Sequence, residues 1–365
     1  MNPRKFFLLI VTACLVAFGI SACGSDSSSD SSSASGGGAT LSGDIAGAGS
    51  SAQDAAQQAW IAGFQEANSG VTIAYDPVGS GGGREAFIAG GKTVFAGSDS
   101  AFADQELTDA QDRCSQSDGE LVQVPVYISP IAIIYNLEGV DSLQLSPDTL
   151  AGIFKQEITT WNDPVIAADN PDAELPDTAI TPVNRSDDSG TTNNFTDYLE
   201  QTAPDVWTFP ADDAFPVKGG EAAEGTSGVV AAVTGGDGTI GYADASQAGD
   251  LGIASIKIGD EYVAPSAEAA SASVDESKET VEGKYVFSYA INRTTTNTSA
   301  YPLVLVSYES ACTAYDNSTD GPIVKGYLDY VISAEGQDAA ASNAGSAPIS
   351  EKLRGQIQPA VDAIG

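Results

Sequence analysis

The most informative segment of the chain is Asn184-Arg185-Ser186-Asp187-Asp188-Ser189-Gly190-Thr191-Thr192, because it has the composition of an anion-binding loop. It follows an apolar segment typical of a strand, Ala179 to Val183, and precedes a helical pattern from Asn194 to Gln201. A strand, a tight polar loop and a helix start direct free backbone N–H groups and the positive end of the helix dipole at one point, where an anion can bind. Arg185 adds a planar fork of donors, and Gly190 lets the backbone approach closely. The alternative is an ordinary helix N-cap beside a surface arginine.

Two further segments repeat this plan. Gly47-Ala48-Gly49-Ser50-Ser51 precedes a segment of helical period from Ala55 to Ala67, and Gly79-Ser80-Gly81-Gly82-Gly83 precedes Arg84 to Ala89. A single glycine–serine loop usually indicates only a turn with a cap. Three in one chain, each before a helix, favour several N–H-rich helix starts directed at one ligand.

These motifs, in this order, resemble those of the phosphate-binding lipoproteins of the PstS family, which supply phosphate-specific ABC importers. The matching segments span roughly residues 41 to 350 and are Gly47–Ser51, Gly79–Gly83, Gly97–Ser100, Ile158–Asp163, Arg185–Thr191 and Gly238–Tyr242. Carried over position by position, the resemblance implies phosphate contacts from Ser51, Ser80, Asp99, Arg185, Ser189, Gly190 and Thr191. It also implies that Asp187 pairs with Arg185 and orients it.

One position departs from the family pattern. The family often has an aromatic residue directly after the hydroxyl of the first loop, where this chain has Ala52. If that position contributes only its backbone N–H, the change is tolerable, whereas a shielding ring would leave the site more open here.

The resemblance implies an α/β, two-domain periplasmic-binding-protein fold (type II), with the ligand in the interdomain cleft and discontinuous domains joined by hinge strands. A chain of this length also exceeds what one hydrophobic core usually serves. We expect domain I to comprise residues 41–126 and 301–365, and domain II residues 127–300. The crossings are placed near Gln123 to Tyr127 and near Ala300 to Val304, so that a bound anion bridges the two domains.

Short apolar segments alternate with helical ones along the chain. The predicted strands are Leu41–Ala46, Val71–Tyr75, Thr93–Ala96, Gln123–Tyr127, Ile131–Tyr135, Ala179–Val183, Thr239–Tyr242, Tyr285–Ile291 and Leu303–Tyr308. The predicted helices are Ala55–Ala67, Pro147–Phe154, Asn194–Gln201, Gly228–Val233, Ile323–Ala334 and Ser350–Ile364. Trp60, Ile61 and Phe64 fall on one helix face and are predicted core residues, and Trp161 and Trp207 are interpreted as structural.

The N-terminus has the pattern of a lipoprotein signal peptide, residues 1–22: a basic start, then an apolar run from Phe6 to Ile20 that is too short to span a membrane. Small residues precede Cys23, which we predict to be lipidated, and residues 23–40 form a serine- and glycine-rich tether. Cys14 also fits loosely, but cleavage there would leave apolar residues on the mature chain. The prediction places the protein on the extracytoplasmic face of the cell membrane.

Cys114 and Cys312 then remain, and in an oxidising compartment an even pair predicts one disulfide, with two separate buried thiols as the alternative. The sequence contains no histidine. This excludes Ser-His-Asp and Cys-His catalysis and histidine-ligated metal sites. No catalytic residue, metal ligand or cofactor is predicted.

The formal net charge is −35, and loss of Arg4 and Lys5 with the signal peptide would make it −37 (−35 − 2). Such an acidic surface argues against nucleic acid and anionic lipid as partners. An anionic ligand remains compatible, because salt screens surface charges over roughly 8 Å and local dipoles dominate inside a cleft.

The predicted function is capture of inorganic phosphate and its delivery to the permease subunits of an ABC importer, with the cytoplasmic ATPase involved indirectly. Asp99 is the residue that best distinguishes phosphate from other oxyanions as the ligand. A carboxylate repels an oxyanion unless the anion carries a proton, as phosphate does and sulfate does not. Asp99 as a plain turn-capping residue is the alternative. Other functions left open are a receptor for sulfate or molybdate, a secreted phosphate-ester hydrolase, and a sensory or adhesive lipoprotein. The protein is expected to be a monomer.

Overall fold

Strands and helices alternate along the chain in the computed structural model, which describes residues 41–365. The strands are β1 Gly43–Gly49, β2 Val71–Asp76, β3 Thr93–Ser98, β4 Leu121–Asn136, β5 Gln144–Leu145, β6 Thr181–Arg185, β7 Glu221–Ala223, β8 Thr239–Asp244, β9 Gly252–Ile258, β10 Glu261–Val263, β11 Lys278–Glu282, β12 Val286–Ala290 and β13 Val304–Cys312. The helices are α1 Asp54–Ala67, α2 Ser80–Ala89, α3 Asp104–Ser115, α4 Pro147–Phe154, α5 Pro164–Asp169, α6 Gly190–Thr202, α7 Gly225–Gly235, α8 Ala267–Asp275, α9 Asp320–Ile332, α10 Ala334–Ala344 and α11 Glu351–Asp362. The predicted signal peptide (residues 1–22), Cys23 and the tether (residues 23–40) lie outside the described residues.

The main path of the sheet runs β2-β1-β3-β13-β4-β8-β6-β7. Strand β1 is parallel to both β2 and β3, and β6 is parallel to β8, whereas β13 is antiparallel to β3 and β4. Because parallel strands end at the same edge, the carboxyl ends of β1 and β2 lie side by side. The first two glycine-rich segments are therefore neighbours in space.

Strand β4 is 16 residues long and buried as far as its last residue. Its residues 121–130 pair with β13, and its residues 131–136 pair with β8. The sequence had predicted two strands here, Gln123–Tyr127 and Ile131–Tyr135, and that division was wrong: Pro130 lies within a continuous strand and is paired with Val304. The domain limits predicted at 126/127 and 300/301 stay a prediction.

Other element bounds also differ from the predictions. Helix α2 begins at Ser80, so Gly81 to Gly83 form its first turn and not a loop before it. Close packing requires this: a Cβ on Gly83 would lie 2.3 Å from Cα of Gly49 at the end of β1. The predicted helix Ile323–Ala334 is divided at Ser333, whose side chain accepts a hydrogen bond from Gly336 N and caps α10.

The predicted core residues of α1 pack as expected. Trp60 and Phe64 are buried and Ile61 is partly buried, while Trp60 makes an edge-on contact with Tyr127 at 6.3 Å between ring centroids. Trp161 and Trp207 are both buried as well. In residues 41–365, no helix combines the length and apolar character needed to cross a membrane.

Cys114 and Cys312 meet at the ends of α3 and β13. Their sulfur atoms are 2.02 Å apart and their Cα atoms 5.3 Å apart. Helix α3 was not predicted, because only Leu107, Ala110 and Cys114 give its otherwise polar sequence an apolar side.

Candidate functional site

The first glycine–serine segment ends against a helix start that the sequence analysis did not predict. Ser51 Oγ accepts a hydrogen bond from Thr226 N at 3.0 Å and lies 3.0 Å from Thr226 Oγ1. Thr226 is the second residue of α7, which had been predicted only from Gly228. Gln247 reinforces the same contact by donating from Nε2 to the Ser51 carbonyl at 2.9 Å.

The second glycine-rich segment brings Ser80 to Asp99. Asp99 N donates to Ser80 Oγ at 3.1 Å, and Ser80 Oγ lies 3.5 Å from Asp99 Oδ2. Next to Ser80, Gly81 N donates to the Asp188 carbonyl at 3.1 Å. The start of α2 therefore lies against the loop that follows β6.

Arg185, the last residue of β6, forms an ion pair with Asp187 in that loop. Arg185 is 3% exposed; its Nε donates to Asp187 Oδ1 at 2.7 Å, and its Nη2 pairs with Asp187 Oδ2. Asp187 Oδ1 also accepts from Gly225 N, the first residue of α7, at 3.0 Å. Partial burial acts to raise the pKa of Asp187, but the hydrogen bond and charge of Arg185, together with backbone hydrogen bonds that include the one from Gly225, hold this pKa below its ordinary value. Asp187 is thus ionised and fixes the plane of the guanidinium.

The start of α6 is built to approach Asp99 closely. Ser189 is the N-cap, and its side chain accepts from Thr192 N at 3.3 Å. A Cβ on Gly190 would lie 2.7 Å from Ser100 N, so only glycine fits there. Thr191 Oγ1 donates to Asp99 Oδ2 at 3.2 Å. Residues more than ninety positions apart in the chain therefore converge on one carboxylate.

Asp99 lies at the centre of these contacts and is 3% exposed. Burial raises its pKa above the ordinary value, while the hydrogen bond from Ser307 and the charge of Arg185 act in the opposite direction. Asp99 also borders a cleft of about 430 Å³, whose lining includes Asn194 and Arg293. Asn194 Nδ2 donates to the Asp99 carbonyl at 2.7 Å.

A second ion pair lies beside the site. Arg84 of α2 pairs with Asp213 at 2.7 Å and with Glu106 at 2.8 Å, and Ser100 Oγ lies 3.2 Å from Asp213 Oδ1. The Asp213 carbonyl accepts from the N–H of Ser189, the N-cap of α6, at 3.0 Å. Asp213 therefore connects the start of α6 to helix α2.

All seven predicted contact residues thus belong to one set of touching segments: Ser51, Ser80, Asp99, Arg185, Ser189, Gly190 and Thr191. Four helix starts, those of α1, α2, α6 and α7, contribute N–H groups or hydroxyls, with one arginine and one carboxylate. Such a set can bind a small oxyanion by directed donors and can accept one hydrogen bond from it. Among residues 41–365 there is no cluster of three or more acidic, cysteine or histidine side chains suited to a metal ion.

Sequence reasoning missed Thr226, Ser307 and Asp213. Thr226 could have been found, because Gly225-Thr226-Ser227-Gly228 repeats the pattern of small and hydroxyl residues before a helix. Ser307 lies inside a strand, and Asp213 lies in an irregular segment, so neither carries a local pattern that indicates a role.

Comparison with known proteins defines the class first. A model of the PBP superfamily domain matches residues 34–335. The phosphate-binding protein PstS 3 of Mycobacterium tuberculosis is 35% identical over 380 residues, covering 100% of both chains. The phosphate-binding protein PstS of Haemophilus influenzae is 32% identical over 305 residues, covering 81% of this chain and 86% of that protein. The chain therefore belongs to the PBP superfamily and, within it, to the PstS family of phosphate-binding proteins.

A solved structure supports the fold. A high affinity periplasmic phosphate-binding protein, bound with phosphate at pH 8.5, matches with a TM-score of 0.71 at 23% identity, covering 87% of this chain and 93% of that one. The predicted two-domain α/β fold of the periplasmic-binding-protein type is thereby confirmed.

Proposed function

We propose that this protein captures inorganic phosphate outside the cytoplasm and delivers it to the permease of an ABC importer. Membership of the PstS family supports the ligand and the transport role. The observation that carries the proposal is the meeting of Thr191, Ser80 and Asp99 beside the paired Arg185. This set offers many donors and one acceptor to a single small anion.

The acceptor is what selects phosphate. At neutral pH phosphate carries at least one proton that can be donated to a carboxylate, whereas sulfate and molybdate carry none. An ionised Asp99 therefore gains a hydrogen bond from phosphate and repels the other two. Arsenate, which is protonated like phosphate, should bind in the same way.

Isothermal titration of the purified protein with phosphate, arsenate and sulfate tests this proposal. Phosphate and arsenate should bind and sulfate should bind far more weakly. Arg185→Ala should weaken phosphate binding at least about tenfold, since a charge-assisted hydrogen bond contributes roughly 1.5–3 kcal/mol. Arg354→Ala, which removes the same charge from α11, is the matched control and should bind normally. Native affinity in Arg185→Ala would show that the site is misassigned.

Asp99→Asn tests the selectivity separately. The amide cannot repel an unprotonated anion, so the ratio of phosphate to sulfate affinity should narrow while the fold is retained. An unchanged ratio would remove Asp99 from the site and would favour a receptor for a general oxyanion.

We propose that Cys23 carries the lipid anchor, that the tether of residues 23–40 holds the binding domains at the membrane surface, and that the protein is a monomer without catalytic activity. Release of a Cys23→Ala variant from cells into the medium tests the anchor, and sedimentation tests the monomer. Turnover of a chromogenic phosphate ester would instead favour the hydrolase alternative.

A further inference from the structure

The two carboxylate oxygens of Asp99 have different surroundings. Oδ2 accepts from Thr191 Oγ1 at 3.2 Å and lies 3.5 Å from Ser80 Oγ, so it faces the proposed anion contacts. Oδ1 accepts a hydrogen bond from Ser307 Oγ at 2.5 Å. Ser307 is fully buried and is 208 residues away from Asp99 in the chain. The oxygen that faces away from the anion contacts is therefore held by a different strand.

A β-bulge fixes the position of Ser307. Ser307 pairs with Tyr127 of β4, but the next residue of β13, Tyr308, pairs with Pro125, so Val126 has no partner in the register. The carbonyl of Val126 accepts from Gln337 Nε2 at 2.9 Å instead. Bulges of this kind redirect side chains and are common beside functional sites. The Ser307 hydroxyl is thus held by two paired strands and not by a loop.

The hydrogen bond from Ser307 acts on the charge of Asp99. Burial raises the Asp99 pKa, and Ser307 provides the largest opposing contribution, followed by others that include the charge of Arg185 on β6. Tyr75 on β2 is another titratable group coupled to Asp99, and its own pKa is raised by burial and by nearby acidic groups, Asp99 among them. A serine hydroxyl that donates its one hydrogen bond to a carboxylate stabilises the ionised form of that carboxylate.

We propose that Ser307 is a positioning residue that determines anion specificity: by holding Oδ1 it keeps Asp99 ionised, with Oδ2 available only as an acceptor. The inference rests on the proposed function and extends it to a residue that does not touch the anion. Without the Ser307 hydroxyl, the largest contribution that opposes burial is lost, so the pKa of Asp99 rises further and Asp99 takes up a proton more readily. Protonated Asp99 can donate a hydrogen bond, so an unprotonated oxyanion such as sulfate can then bind in the site.

The test is isothermal titration of the full chain with sulfate and with phosphate, from about pH 5 to about pH 8. The variants are Ser307→Ala and Ser307→Cys, the second of which keeps the side-chain connectivity with a slightly larger atom and has only a weak S–H donor. Ser310→Ala is the matched control, because Ser310 is also buried on β13 but is paired with Ala96.

In Ser307→Ala, the pH below which sulfate binds should rise by about one unit, and the phosphate-to-sulfate affinity ratio near neutral pH should fall about tenfold. Ser307→Cys should lie between Ser307→Ala and the unmodified protein, and Ser310→Ala should match the unmodified protein. If Ser307→Ala does not fold, the shift in Ser307→Cys decides the question.

Two results would overturn the inference while the proposed function stands. One is a sulfate pH profile in Ser307→Ala that superimposes on that of the unmodified protein, which itself binds phosphate. The other is an equal loss of both anions at every pH, which would show that Ser307 only supports the fold. Failure of the unmodified protein to bind phosphate would overturn both the inference and the proposed function.

Discussion

Glu309 on β13 should make the stability of the protein fall as the pH rises. This side chain is fully buried; its Oε1 accepts from Gln57 Nε2, and its Oε2 has no hydrogen-bond partner among the described residues. Gln57 is itself held by Tyr327, whose hydroxyl donates to Gln57 Oε1 at 2.6 Å. Burial raises the pKa of Glu309 from its ordinary value of 4.5 to about 8. The folded protein therefore holds a proton that the unfolded chain releases.

The sign and size of the effect follow from this difference. The stabilisation is complete below the unfolded-state pKa of 4.5 and is lost as the pH rises through about 8. At 1.36 kcal/mol per pKa unit, the gap from 4.5 to about 8 amounts to about 5 kcal/mol in the free energy of unfolding, of which about 3 kcal/mol is lost by pH 7.

Glu309→Gln imitates the protonated side chain at every pH. Denaturant unfolding of this variant and of the unmodified protein should give similar stabilities near pH 4.5, and the variant should become the more stable by roughly 3 kcal/mol near pH 7. Glu66→Gln, at an exposed position on α1, is the matched control, and its difference in free energy of unfolding from the unmodified protein should not change with pH. Parallel pH profiles for Glu309→Gln and the unmodified protein would refute the buried neutral carboxyl.

Three further outcomes are expected. Asp213→Asn breaks the pair with Arg84 and should weaken phosphate affinity by roughly tenfold in calorimetry. The ratio of phosphate affinity to sulfate affinity should stay unchanged, because the substitution loosens the contact between α2 and α6 and not the anion contacts. A changed affinity ratio would place Asp213 in the site itself. Thiol labelling of unreduced, unfolded protein should find Cys114 and Cys312 unreactive, and stoichiometric labelling at both positions would count against the disulfide. Reduction should lower the free energy of unfolding by up to about 5 kcal/mol, since the disulfide closes a loop of 198 residues. Phosphate should raise the melting temperature in a dose-dependent way and compact the protein in small-angle scattering, since we expect it to bind the folded form alone and to favour closure of the two predicted domains. An identical scattering profile at saturating phosphate would contradict a cleft between two domains.

The parts of the site that the sequence could predict are those with local patterns. The segment from Arg185 to Thr192 combines an arginine with a glycine and hydroxyl residues at the start of a helix, and the first two glycine–serine segments repeat the glycines and hydroxyl residues. Each of these features depends on a few neighbouring residues and on general properties of helix starts. Helix α4 was predicted with the bounds that the structure shows, because Ser146 and Pro147 define its start and the run to Phe154 is apolar.

The parts that could not be predicted depend on pairing between distant segments. Ser307 reaches Asp99 only because β13 lies between β3 and β4 and carries a bulge at that point. Asp213 reaches Arg84 from a segment without regular structure. A sequence pattern reports which face of an element is apolar, but the register of a strand pair decides which polar side chains meet. Residues of this kind look like ordinary core serines or surface acids until the fold is known.

The acidity of the chain is compatible with an anion site because the surface charges act on an anion in solvent, whereas the buried groups act on an anion inside the site. A net charge of −35 acts on an approaching anion through water, where salt screens it over roughly 8 Å. Inside the site, the anion would meet the N–H dipoles of helix starts and the charge of Arg185, which are buried and therefore little screened by solvent. Asp187 and Asp99 are also compatible with an anion: Asp187 is neutralised by Arg185, and Asp99 can accept a hydrogen bond from a proton that phosphate carries. Binding in this protein should therefore depend on the protonation of the anion far more than on ionic strength, and calorimetry across a salt series at fixed pH separates the two.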